Sequence, residues 1–93
     1  MYTNMSAQAA AVKNYCFTFN NYTQETEQLL VNWLDTNTGF YVFGHEVGEA
    51  GTPHLQGYMQ LKTRQRMTGL HKKLPVSLAL LPANGSPQQN ITY

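Results

Sequence analysis

The sequence predicts an α+β domain of the ferredoxin-like (RRM-like) class: an antiparallel sheet with helices on one face and an open, active-site face on the other. Three observations predict it. Apolar and polar residues alternate with a period of two over 14–20 and 54–61. Two segments of helical period, each with a start signal, separate the strand-like segments. The resulting order is β-α-β-β-α-β, which places two crossover helices on the same side of one sheet.

Residues 1–12 are Ala-rich and polar without a clear period, and are expected to form a flexible lead to a domain over 13–93. Over 14–20, Tyr15, Phe17 and Phe19 alternate with Cys16, Thr18 and Asn20, so the aromatic row is expected in the core and the small polar row on the wet face. Thr23 is a good N-cap, and Glu25 and Glu27 follow where the helix dipole favours negative charge. Leu29 with Trp33 and Leu30 with Leu34 are spaced to share one face of a helix ending near Asp35. Residues 40–47 are aromatic and β-branched. They place Val42, Gly44 and Glu46 on one face and Tyr41, Phe43 and His45 on the other.

A glycine-bracketed loop over 48–53 joins this strand to the next as a hairpin. In the second hairpin strand, His54, Gln56, Tyr58 and Gln60 form one row and Leu55, Gly57, Met59 and Leu61 the other. Thr63 is expected to cap a second helix with Met67, Leu70 and Leu74 inward and Pro75 as its stop. Residues 76–81 give a fourth strand. Ser86-Pro87-Gln88-Gln89 has the chemistry of a capping box and starts a third helix that the sequence carries only to Tyr93, the expectation being a fragment of a longer protein.

Composition narrows the function classes. With 93 residues, 42% of them apolar, the chain suffices for one modest core. A single cysteine, Cys16, excludes a disulfide framework and a cysteine-rich zinc module, and no apolar run reaches the ~20 residues of a membrane helix. The expected setting is intracellular, with no membrane partner. Net charge is only +1, but the charges are segregated. All five acids lie between 25 and 49, while Lys62, Arg64, Arg66, Lys72 and Lys73 form a basic run without an acid. Such a chain makes a local positive field while staying near neutral, although a short basic run is also what a solvated face looks like.

The chemistry-bearing constellation is on the hairpin. His54 and Gln56 point the same way about 6.7 Å apart, and Glu46 on the preceding strand joins them if it pairs near 54–56. An oxygen-rich, thiol-free set of one His, one Glu and one Gln carbonyl suits Mg²⁺ or Mn²⁺ rather than structural zinc. The same pattern also fits an ordinary polar sheet face. His45 is expected to be structural and His71 a surface residue. Tyr93 reads as a packing residue or as a nucleophile, and sequence does not choose between them.

Taken together, the motifs resemble a known family. Phe17-Thr18-Phe19-Asn20-Asn21 looks like the first motif of the replication-initiator (Rep) proteins of circular single-stranded DNA viruses. Thr52-Pro53-His54-Leu55-Gln56-Gly57-Tyr58 looks like their second motif in its circovirus-like His-Leu-Gln form, and Gln88 to Tyr93 looks like the helix leading into the third. The resemblance implies an HUH endonuclease domain over 13–93, with a divalent metal (Mn²⁺ or Mg²⁺) on Glu46, His54 and Gln56, Glu49 as the rival acid, and Tyr93 as the catalytic nucleophile. It implies nicking and joining of single-stranded DNA at an origin stem-loop in the host nucleus, through a 5′-phosphotyrosine, to start rolling-circle replication. Any oligomer would form through regions absent from this sequence. Asn20, Asn21, Tyr58, Gln60, Lys62, Arg64 and Arg66 are the candidate DNA contacts. Two other functions fit the same residues: a non-catalytic single-stranded nucleic-acid-binding module, and a metal phosphoesterase that uses activated water.

Overall fold

A computed structural model describes residues 11–83. Residues 1–10 of the expected lead over 1–12, the third helix and Tyr93 lie outside the described residues, and Val12, expected in the lead, begins β1. The elements run β1 (Val12–Asn20), α1 (Gln24–Asn37), β2 (Thr38–Val47), β3 (Pro53–Gln65), α2 (Met67–Lys73) and β4 (Ala79–Pro82). The strands form one sheet in the order β2-β3-β1-β4, with every neighbouring pair antiparallel. Each helix therefore crosses over one intervening strand, which is the predicted ferredoxin-like arrangement.

Local chemistry explains most boundaries. The α1 N-terminus is a reciprocal capping box: the Thr23 hydroxyl accepts from the Thr26 N–H at 3.1 Å, and the Thr26 hydroxyl accepts from the Thr23 N–H at 2.7 Å. At its other end both the backbone N–H and the hydroxyl of Thr38 donate to the Leu34 carbonyl, the hydroxyl at 2.6 Å. Asn21 turns the chain from β1 towards α1 at φ 58°, a left-handed conformation that asparagine tolerates better than most residues. Its N–H donates to the Pro53 carbonyl at 3.3 Å, which fastens this turn to the start of β3.

Tyr15, Phe17 and Phe19 of β1 pack with Leu55, Met59 and Leu61 of β3 and with Leu30, Leu34, Leu70, Leu74 and Leu78. Both helices thus cover one face. At the centre of that face Gly57 sits between Phe17 and Phe43, its partners in the two flanking strands. A Cβ at Gly57 would lie 2.5 Å from the Phe43 Cβ and 2.8 Å from the Phe17 ring, and against the Val42 carbonyl oxygen.

Three expectations are corrected. Thr63 does not cap α2: β3 continues to Gln65, and Arg66 takes the N-cap position without a side-chain hydrogen bond. Along β1 the register jumps at this point, Val12 pairing with Gln65 while Asn14 pairs with Gln60, and Leu61 still pairs with Thr38 of β2. On α1 only Leu30 and Leu34 are buried; Leu29 is 48% exposed and Trp33 packs at the core margin. The fourth strand runs over Ala79–Pro82 rather than 76–81. Among the described residues no helix is long and apolar enough to cross a membrane.

Candidate functional site

The face opposite the helices is built by the other half of each strand. Register places Glu46 directly across from His54, and His54 across from Asn20. The next row holds Gly44, Gln56, Thr18 and Ala79, followed by Val42, Tyr58, Cys16 and Leu81. Glu46, His54 and Gln56 are therefore on one side of the sheet at the β2–β3 hairpin. The Glu46 carboxylate leans along the face, its Oε2 lying 3.8 Å from where a Cβ on Gly44 would stand, beside the partner position of Gln56. Missing side-chain bulk at Gly44 leaves that space open.

The donor set fits a hard divalent cation. Among the described residues Glu46 forms no ion pair, and neither Glu46 nor Gln56 makes a side-chain hydrogen bond. His54 Nδ1 lies 3.4 Å from the Thr52 carbonyl oxygen, a long contact that favours the tautomer with Nε2 as a free lone pair. Among the described residues no group of three or more His, Cys, Asp or Glu could hold a metal ion, and in this constellation the Gln56 carbonyl is the third candidate donor beside Glu46 and His54. Glu49 sits in the turn of the hairpin loop, exposed, three residues beyond the end of the Glu46–His54 pairing.

The remaining candidates divide by exposure. Asn20 and Asn21 are exposed at the His54 end, and Gln60 is half-buried further along β3. Lys62, Arg64 and Arg66 are exposed on and after the bulge. Lys73, in the last turn of α2, donates to the Gln65 side-chain oxygen at 3.1 Å, which gathers the basic run around the same end of β3. Tyr58 departs from expectation. It does lie on the face opposite the helices, outside the main core cluster, yet it is 0% exposed, and its hydroxyl has no hydrogen-bond partner among the described residues. Burial pushes its phenol pKa up. Its ring packs at 6.1 Å from that of Phe40 and is not available as a stacking platform for a base.

His45 is engaged on the helix side. Its Nε2 pairs with the Glu27 carboxylate of α1 at 2.9 Å and its ring packs against Tyr22 and Phe43. Val42 lies on the Glu46 face as expected and is 38% exposed, whereas the sequence reading overlooked Phe40, also 38% exposed on the open face, and the β4 residues Ala79 and Leu81. The segment 76–81, apolar but for Ser77, gave no clear alternation from which a face could be read.

A family profile of viral replication proteins matches residues 12–93. A replication-associated protein of canary circovirus is 44% identical over 86 residues, covering 92% of this chain and 29% of that protein. One of pigeon circovirus is 41% identical over 91 residues, 98% of this chain and 28% of that protein. The master replication protein of faba bean necrotic yellows virus is 34% identical over 61 residues, 66% of this chain and 19% of that protein. The chain thus spans less than a third of the length of these curated relatives.

Proposed function

The chain belongs to the viral replication protein family, and on that premise we propose that it nicks and rejoins single-stranded DNA at a replication origin to start rolling-circle replication. The observation that supports this most is the register of the hairpin, which sets Glu46 opposite His54 with Gln56 next along the same open face. Glu46, His54 and Gln56 would hold a divalent cation there, which would supply Lewis-acid stabilisation of charge developing on a scissile phosphate.

The chain's own groups do the rest. Glu46 contributes the one formal negative charge of the site, His54 and Gln56 contribute neutral donors, and the Thr52 carbonyl holds the His54 ring. Asn20 and Asn21, fastened to the start of β3, flank His54 and offer amide groups to phosphate or sugar oxygens. The basic bulge from Lys62 to Arg66 holds the strand further along, through phosphate contacts that carry no sequence information. Tyr58, fully buried, is left out of this contact set.

Tyr93 is the proposed nucleophile, on the strength of its place in the third motif. Its phenolic oxygen attacks phosphorus and gives up its proton to solvent. A tyrosine–phosphate bond forms, the bond from phosphorus to the 3′ oxygen breaks, and that oxygen leaves as a protonated 3′-OH. The phosphotyrosine conserves the phosphodiester energy, so reverse attack by a 3′-OH rejoins DNA without a nucleotide cofactor.

The test is a denaturing gel of the protein with Mn²⁺ and a labelled oligonucleotide carrying an origin stem-loop. The expected result is an SDS-resistant protein–DNA band that Tyr93→Phe abolishes while DNA binding is kept. Nicking by Tyr93→Phe would make activated water the nucleophile, and cleavage that persists in EDTA would remove the metal.

A further inference from the structure

We infer that the open face carries a nucleobase subsite beside the candidate metal site, formed by Thr18 and Cys16 of β1, Gln56 of β3, and Ala79 and Leu81 of β4. The inference rests on the function proposed above and deepens it, by assigning the base of a nucleotide that adjoins the reacting phosphate.

These residues line a groove of about 280 Å³. That lies just below the ~300–1,000 Å³ of typical small-molecule sites, so the groove takes one nucleoside-sized group rather than a run of them. Its two sides differ in chemistry. Ala79 and Leu81 make an apolar wall on the edge strand, and Leu81 is 66% exposed there. Thr18 and Gln56 face each other across β1 and β3 and supply a hydroxyl and an amide. A nucleobase has the matching pair of surfaces, a flat apolar face and a polar edge. None of the lining residues carries a charge, which favours a neutral base over a phosphate there.

Position ties the groove to the reaction. Gln56 belongs to both the groove and the candidate ligand set. Thr18 is its partner on β1, and Ala79 is the partner of Thr18 on β4. The groove therefore begins at Gln56 and extends one to two strand spacings from it, ~5–10 Å, a distance that one nucleotide bridges. With its carbonyl oxygen given to an ion, Gln56 keeps its NH₂ as a donor towards the base edge. That favours a base presenting an acceptor, and Thr18 adds a group that donates or accepts.

The test is fluorescence anisotropy in EDTA with single-stranded oligonucleotides, each carrying one abasic site at a successive position around the nick. For the unaltered chain one abasic position is expected to weaken binding about tenfold. Ala79→Phe fills the groove from an exposed edge position. It should bring intact DNA down to that same affinity, with no further loss from the abasic site. Thr18→Val keeps the volume and removes the hydroxyl. It should retain the abasic sensitivity while reducing discrimination among the four bases at that position. An unchanged affinity and abasic profile in Ala79→Phe would overturn the subsite, as would a flat profile in an unaltered chain that binds DNA firmly. Failure of the unaltered chain to bind any of the oligonucleotides would overturn the DNA reading itself, and the subsite with it.

Discussion

Replacing Gly57 with alanine adds one methyl group at the most crowded point of the sheet, and the structure sets the size of the effect. Carbon atoms in contact normally stand ~3.5–4.0 Å apart. The new Cβ would be 2.5 Å from the Phe43 Cβ and 2.8 Å from the Phe17 ring, so gaps of about 1 Å must open on both sides. The Phe17 ring has some freedom to swing. The Phe43 Cβ and the Val42 carbonyl oxygen belong to the β2 backbone or adjoin it, and they move only if β2 moves away from β3. Overpacking of cores typically costs ~1–3 kcal/mol, and this case belongs at the upper end, about 3 kcal/mol. In a domain of this size that lowers Tm by about 12–24 °C. The site should suffer too, because Gly57 lies between Gln56 and Tyr58 and the displaced pairing is the one that sets Glu46 opposite His54. Thermal unfolding followed by circular dichroism measures it, with Gly69→Ala as the control. Nothing stands within 4 Å of a Cβ at Gly69, in α2, so that change should stabilise by about 0.5–1 kcal/mol. A Gly57→Ala protein melting within about 4 °C of the unaltered chain would refute the packing argument.

Two further predictions concern charge. Removing Lys62 and Arg64 together should weaken single-stranded DNA binding evenly across sequences. It should also flatten the plot of log affinity against log salt by about 0.7 for each phosphate that the protein no longer neutralises, and an unchanged slope in a salt titration would place the DNA elsewhere. Tyr15, Tyr41 and Tyr58 all have phenol pKa values above the usual 10.0, Tyr15 and Tyr58 chiefly through burial and Tyr41 chiefly through its hydrogen bond to Asp35. The folded state thus holds protons that the unfolded state releases near pH 10, so these groups stabilise fully below that pH and their contribution is lost as pH rises through it. Urea midpoints should fall between pH 9 and pH 11, and a flat profile would contradict the assigned directions.

Much of this fold was legible because local and long-range signals agree. Thr23 looks like a cap and is one, and the alternation of 54–61 places its residues on the correct faces. The misreadings arose where local chemistry competed with the sheet. Thr63 has the chemistry of an N-cap, yet it stands in a strand whose bulge postpones the helix to Met67. Alternation assigned Tyr58 to the correct face but carries no information on what packs over that face, and the ring is buried. For the candidate site, that His54 and Gln56 share one row of the open face was readable from spacing alone. Their conjunction with Glu46 depends on hairpin register, which the long loop over 48–52 leaves undetermined until the strands are paired. Ala79 and Leu81 were invisible for the same reason, being assigned to a face only by their pairing with Thr18 and Cys16.

The central claim is that Glu46, His54 and Gln56 hold one divalent ion, and a calorimetric Mn²⁺ titration tests it most directly. The account predicts a single site whose affinity falls by more than about tenfold in both His54→Ala and Glu46→Gln. Glu49→Gln, in the hairpin turn, should leave it unchanged. Loss of the ion from Glu49→Gln with retention in Glu46→Gln, or a titration that none of the three changes affects, would contradict it.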